Sequence, residues 1–245
     1  KSSTSGGTTT NTPKDPASYA DVDGYSIENL WIYSVNTNNF PSTLGGDQRS
    51  MTAYNGNIYI THRDGYLNEY SGTTGELLRK ITLSGDFSKS SSGTALTFKC
   101  NDVFVDGAGN LCISNLTINT ASEPLTVCTV NLSTGATTRV FESSLTTSLR
   151  IDYAAARGDV TAQGGEIWAA VANANTVYRW TRNAYGSWVA NGTTIGSYYS
   201  STINAAANNS TAPRIMPISS TQFVLDGHNS APSLYTFVTS GTATM

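Results

Sequence analysis

Charge is scarce in this chain. Asp, Glu, Lys and Arg make up 13% of its 245 residues, and the formal net charge is −3. There is no basic block, so the sequence-independent attraction to phosphates that nucleic-acid binding needs is missing. Long apolar runs are absent too, and none approaches the ~20 residues of a membrane-spanning helix. Histidine occurs twice, as His62 and His228, and cysteine three times, as Cys100, Cys112 and Cys128. No spacing among these residues is a metal signature. The sequence has no G-x-S-x-G elbow, H-E-x-x-H pair, P-loop or Rossmann glycine pattern, so no cofactor is implied. His62-Arg63-Asp64 matches three letters of the kinase catalytic loop, but no glycine-rich loop, strand lysine or D-F-G accompanies it.

What the chain has in quantity is Gly, Ser, Thr and Asn, with aromatics at 10% led by 13 tyrosines. That composition suits a turn-rich β protein and points to an extracytoplasmic setting, in the cell envelope or secreted. The opening "KSSTSGGTTTNTPKDPAS" has the make-up of a flexible tether, so 1–25 is set apart as a linker and 26–245 as the folded domain. Such a leader often follows a lipid-anchored cysteine, which would lie upstream of residue 1; a disordered end accounts for it equally well. Of the thiols, Cys112 and Cys128 fall on strands expected to be neighbours. A cross-strand bridge is one outcome, and buried free thiols are the expected one.

Aligning the chain on the turn before each apolar strand exposes a repeat. "YNGNIYI" has Gly56, "GAGNLCIS" Gly109, "QGGEIWAA" Gly165 and "SSTQFVLD" Thr221, at intervals of 53, 56 and 56 residues. Each unit has the same order of parts. A short strand (50–54, 101–105, 158–162, 214–218) leads into a tight hairpin and then the apolar strand. A third, alternating strand and a fourth follow, with a second glycine turn between them. Four antiparallel strands repeated at this period predict an all-β β-propeller with four visible repeats of about 55 residues. The repeats lie near 49–98, 99–156, 157–212 and 213–245. The fourth runs out early, and 29–36 "NLWIYSVN" stands where an outer strand would precede the first repeat. Either that strand closes a four-bladed ring, or the chain is part of a larger ring.

The hairpin Asp106-Gly107-Ala108-Gly109-Asn110-Leu111-Cys112 resembles those of many bacterial propellers. From about residue 25 onward the chain is similar to uncharacterised β-propeller lipoproteins of gut-type bacterial cell envelopes. The shared motifs are turn motifs, so the resemblance implies the fold far more than a function.

In such a fold two kinds of connection share each end of the sheets. One end here has tight hairpins. The other carries the long segments 37–48, 84–98, 142–156 and 196–212, and this is where binding is expected. His62, Arg63 and Asp64 are placed on that end, and His228 in the corresponding loop of the fourth repeat. An ordinary role for a histidine in a polar loop accounts for both histidines without chemistry. Arg49, Lys99, Arg157 and Arg214 each open or precede a first strand and would ring the channel mouth, ready for an anionic group. The simpler alternative, and the favoured one, pairs each with an acid such as Asp47, Asp102, Asp152 or Asp159. Phe40, Phe87, Phe98, Tyr153, Tyr198 and Tyr199 lie in the long segments. Half of them are expected to stack on ligand and half to turn inward.

The reading that follows is a non-catalytic propeller binding a glycan or protein partner through its long-loop face. Its candidate ligand-binding residues are Arg49, His62, Arg63, Asp64, Tyr153, Arg157, Tyr198, Arg214 and His228. One alternative is a polysaccharide-acting hydrolase or lyase using His62 or His228, the rim arginines and a pair of acids from Asp47, Asp64, Asp86, Glu123, Glu142, Asp152 and Asp226. The other is a purely structural scaffold.

Overall fold

The computed structural model describes residues 3–5, 8–10, 47–174, 176–188, 198–202, 212–227 and 230–236. Strands β1 (Ser3–Ser5) and β2 (Thr8–Thr10) pair as a small hairpin within the leader. Four antiparallel meanders follow, each in consecutive strand order. The first is β3 (Gln48–Tyr54), β4 (Asn57–His62), β5 (Tyr66–Ser71) and β6 (Leu77–Thr82). A two-residue strand β7 (Ser84–Gly85) then runs parallel to the outer edge of the second meander. That meander consists of β8 (Phe98–Val105), β9 (Leu111–Leu116), β10 (Thr126–Val130) and β11 (Ala136–Glu142). The third is β12 (Ala154–Arg157), β13 (Glu166–Ala170), β14 (Thr176–Thr181) and β15 (Tyr198–Thr202). The fourth shows three strands, β16 (Arg214–Pro217), β17 (Gln222–Gly227) and β18 (Ser230–Thr236). Among the described residues no helix is long and apolar enough to cross a membrane.

The sheets stack face to face in chain order, because successive side chains on a strand point to opposite faces. Tyr59, Leu67 and Ile81 of the first meander pack on Cys100, Val103, Ile113 and Cys128 of the second. The opposite face of the second, with Cys112, Val127 and Phe141, packs on Ile167, Ala169 and Trp180 of the third. Trp168, Ala170 and Val177 on the far face of the third meet Ile215, Phe223 and Leu225 of the fourth. Strands buried on both faces explain the unbroken apolar runs "LCIS" and "IWAA". The arrangement is all-β and propeller-like.

The same alternation decides the cysteines. Register sets Cys128 opposite Ile113, so Cys112 and Cys128 face different clusters, and all three thiols are free and buried. Burial pushes the Cys100 and Cys128 thiols up to about 12 and raises that of Cys112 as well. Native thiols with so little thiolate character will resist alkylation.

The turn chemistry falls where the repeat predicts it. Asn55 and Gly56 both have positive φ (48° and 78°), which a two-residue hairpin of this hand requires. The first strand of the third repeat, expected at 158–162, lies instead at Ala154–Arg157. The reason is a long-range contact. The Asp106 carboxylate accepts the Val160 N–H at 3.0 Å, and the Gly107 N–H donates to the Gly158 carbonyl at 2.9 Å. Residues 158–165 are thereby held as a turn against the neighbouring hairpin. A Cβ on Gly107 would sit 2.9 Å from Gly158 backbone atoms, so the glycine is required by close approach.

Candidate functional site

The two ends of the sheets differ in how their polar groups are used. At the hairpin end the carboxylates are saturated. Asp106 accepts from the Ala108 N–H (3.0 Å), the Asn110 N–H (2.7 Å) and Asn110 Nδ2 (2.8 Å), besides Val160. This turn-capping role is the one its sequence position suggests. Glu166 accepts from Arg157 Nε (2.8 Å) and Nη2 (3.2 Å) and from Trp168 Nε1 (3.0 Å). Arg157 therefore closes the hairpin end of its strand and is no part of the opposite rim. The expectation that placed it there is corrected by the same shift of β12.

At the other end the first strands of all four meanders meet one side chain. Asp102, 3% exposed, lies on β8. It accepts the Ser50 hydroxyl of β3 at 2.5 Å, the N–H of Val103 at 3.0 Å and the N–H of Ala154 of β12 at 3.3 Å. Arg214, which opens β16, brings Nη1 to 3.9 Å of its carboxylate. Burial pushes the Asp102 carboxyl from 3.8 to about 6, against the opposing effects of Ser50, Arg214 and the two backbone donors. The Arg214 guanidinium lies 3.7 Å over the ring of Tyr153. Arg214 and Tyr153 thus form a stacked pair above a buried carboxylate.

His62 ends β4 and is 9% exposed, so it is less of a loop residue than its sequence context implies. Its ring stacks on Tyr66 at 4.2 Å and 13°. Its Nδ1 accepts the Asp64 N–H at 3.2 Å and lies 3.5 Å from the Asp64 carboxylate. Arg63 reaches Asp47 at 3.3 Å. Three of the acids proposed for catalysis have other work. Glu123 accepts the N–H (2.6 Å) and hydroxyl (3.0 Å) of Thr97. Glu142 accepts the Ser91 N–H at 2.7 Å and the Ser91 hydroxyl, and lies 3.6 Å from Arg139. Asp152 is held by Arg150 through Nε (3.0 and 3.2 Å) and Nη2 (2.6 Å). Each acid pins a loop or a neighbouring arginine.

Between the starts of β3 and β8 a cleft of about 240 Å³ opens on this end, lined by Arg49, Phe98, Asn101, Leu116, Ile118 and Arg150. It is built by pairing across two meanders. Thr117 and Ile151 exchange backbone hydrogen bonds of 3.0 and 2.9 Å, which set Ile118 beside Arg150. The Thr120 hydroxyl donates to the Thr147 carbonyl at 2.5 Å and ties the loop above. Asn101, through Nδ2, donates to the Asp152 carbonyl at 2.7 Å and fixes the floor. Arg49 has no hydrogen-bond or ion-pair partner among the described residues, unlike Arg157 and Arg214.

Of the predicted site residues, Arg49, Tyr153 and Arg214 gather at this end, and His62, Arg63 and Asp64 form a separate group at the end of β4. Tyr198 lies on β15, not in a loop, and His228 and Phe40 lie outside the described residues. Phe87 turns inward to pack on Leu67 and Cys100. Lys99 points its Nζ at the Phe87 ring, 5.6 Å from the centroid. Sequence reasoning passed over Asn101 and Leu116, which the pairing of β8 with β9 brings together, and Ile118 and Arg150, which meet through the Thr117–Ile151 bridge. Its one available signal was an acid in "KCNDVFV", at Asp102.

No protein-family model and no curated protein sequence matches this chain. Among solved structures it is similar to the computationally designed Ika4 protein, at TM-score 0.40 and 13% identity over 78% of this chain and 91% of that one. It is similar to the endo-arabinase from Bacteroides thetaiotaomicron, at TM-score 0.43 and 11% identity, covering 78% and 75%. It is also similar to YCF48 from Cyanidioschyzon merolae, at TM-score 0.41 and 13% identity, covering 79% and 60%. These likenesses concern shape, and no activity follows from them.

Proposed function

We propose that this chain is a non-catalytic, cell-envelope β-propeller that binds an anionic partner, a glycan or a protein, through its long-loop end. The observation that carries this reading is the contrast in arginine use. Arg157 at the hairpin end is locked in a bidentate pair, whereas Arg49 is unpaired among the described residues and Arg214 lies flat on Tyr153 with its carboxylate 3.9 Å away. Guanidinium groups with donors to spare suit a carboxylate or sulfate. Against an enzyme stands the use of its acids, because Glu123, Glu142 and Asp152 are each held in place by structural hydrogen bonds.

The same reading takes the ring to be four-bladed, with 29–36 supplying the outermost strand of the fourth blade. Its support is that Ser50 of the first meander and Arg214 of the fourth both reach Asp102. Deleting 29–36 should then lower the unfolding temperature, and unchanged unfolding would contradict closure. Binding is tested by thermal shift against acidic and neutral oligosaccharides, with wild type beside Arg49→Ala and Arg214→Ala. A shift with acidic sugars that shrinks in both variants is expected. An equal shift in all three proteins would remove the arginines from the account.

A further inference from the structure

The cleft between the first two meanders has a chemistry of its own. Its walls are apolar: Phe98 and Leu116 face each other in register across β8 and β9, and Ile118 beside them is 57% exposed. Ile118 extends the apolar wall of Phe98 and Leu116 toward the two guanidinium groups. The polar groups are few and all but one are cationic. Arg49 brings a whole guanidinium free of described partners. Arg150 spends Nε and Nη2 on Asp152, which leaves Nη1 without a protein acceptor among the described residues. Asn101 has its amide nitrogen committed to the Asp152 carbonyl. Such a site has little to offer a ring of hydroxyls. It has much to offer one negative charge attached to hydrocarbon.

We propose that this cleft takes a carboxylate carried on a compact apolar body, with Arg49 and Arg150 on the carboxylate and Phe98, Leu116 and Ile118 around the body. This rests on the long-loop end being the binding end, and it names the ligand chemistry there. The volume of about 240 Å³ limits the body to roughly the size of one large side chain or a short acyl chain. Two sources share that chemistry: a free aliphatic or aryl acid, and the C-terminal carboxylate of a peptide ending in an apolar residue. The site is also preorganised. Arg150 is held by Asp152, Asn101 by the same segment, and Ile118 by the Thr117–Ile151 bridge. The ordering cost left on binding then falls mainly on Arg49, whose side chain nothing described holds.

The test follows the Ile118 methyl resonances by NMR during titration with four probes. These are hexanoate, hexanamide, an acetylated Ala-Leu dipeptide with a free carboxylate, and the same dipeptide amidated. The acids should bind roughly tenfold to a hundredfold more tightly than their amides, the range expected for hydrogen bonds to a charged group. Arg49→Gln should shrink that preference severalfold, Arg150 holding what remains, and since Arg49 has no described partner, its loss leaves the fold intact. Ile118→Glu, at an exposed position, should repel both acids. Tighter binding of the dipeptide acid would assign the source to a peptide terminus, and tighter hexanoate to a free acid. Equal binding of acid and amide, a preference undiminished by Arg49→Gln, or no shift with either acid up to about 10 mM would overturn the proposal. An acidic oligosaccharide run in parallel separates the two levels. If it binds at Arg214 while both acids fail, the cleft assignment falls and the binding end stands. If nothing binds, both fall.

Discussion

The hairpin end and the long-loop end of these sheets each bury an aspartate on the second meander, and they use it differently. Asp106 accepts from four donors, three in its own turn and one from the neighbouring meander. Asp102 accepts from three donors and faces an arginine 3.9 Å away, and burial leaves its carboxyl at about 6. The first arrangement satisfies a negative charge locally and locks two turns together. The second shares a charge among four first strands and leaves cationic groups around it with capacity unspent. Under the proposed reading, recognition belongs to the second arrangement, while the first serves stability alone. If those cationic groups bind a ligand as proposed, they do so from rigid strands while their donors stay available.

The largest effect should come from breaking the saturated end. Asp106→Ala leaves the N–H groups of Ala108, Asn110 and Val160 without their acceptor. It should cost about 2–4 kcal/mol, read as a lower urea midpoint with little change in slope. Any ligand shift seen at the long-loop end should persist in the variant wherever it is folded.

Asp102 sharpens the comparison through pH. Its folded-state carboxyl sits above the ordinary value of 3.8, at about 6, so the native state holds the proton more tightly than the unfolded chain. Its contribution is therefore fully present below about pH 4 and is lost as pH rises to about 6, on the order of 2–3 kcal/mol. Asp102→Asn should flatten that part of the stability-versus-pH curve. An unchanged curve would show that the group is not buried as described. Smaller still is Arg49→Ala, which should move the unfolding free energy by less than about 0.5 kcal/mol because it breaks no described contact. Its expected effect is on the proposed binding.

How much of this was legible in the sequence follows from the range of the interactions. Asn55-Gly56 and Asp106–Asn110 announce their turns because turn chemistry is written within a few residues. The apolar runs and the repeat of about 55 residues likewise foretell sheets buried on both faces. The misplacement of the third repeat's first strand has a non-local cause, since Asp106 holds Val160 from 54 residues away. Arg157 was carried to the wrong end by that same contact. His62 reads as a loop residue, but β4 extends to it and Tyr66 covers its ring. The cleft was invisible for a related reason. Ile118 and Arg150 meet only because Thr117 pairs with Ile151, and no motif marks a bridge between two loops.

The most direct test of the division between the two ends is a backbone-amide NMR titration of the whole chain with an acidic oligosaccharide. Shifts should cluster around the rim arginines and the Asp102 cluster, at residues 49–50, 102–103, 153–154 and 214, with the hairpin turns at 55–56, 106–110, 158–165 and 218–221 unmoved. Shifts centred on those turns, or spread evenly over both ends, would contradict it.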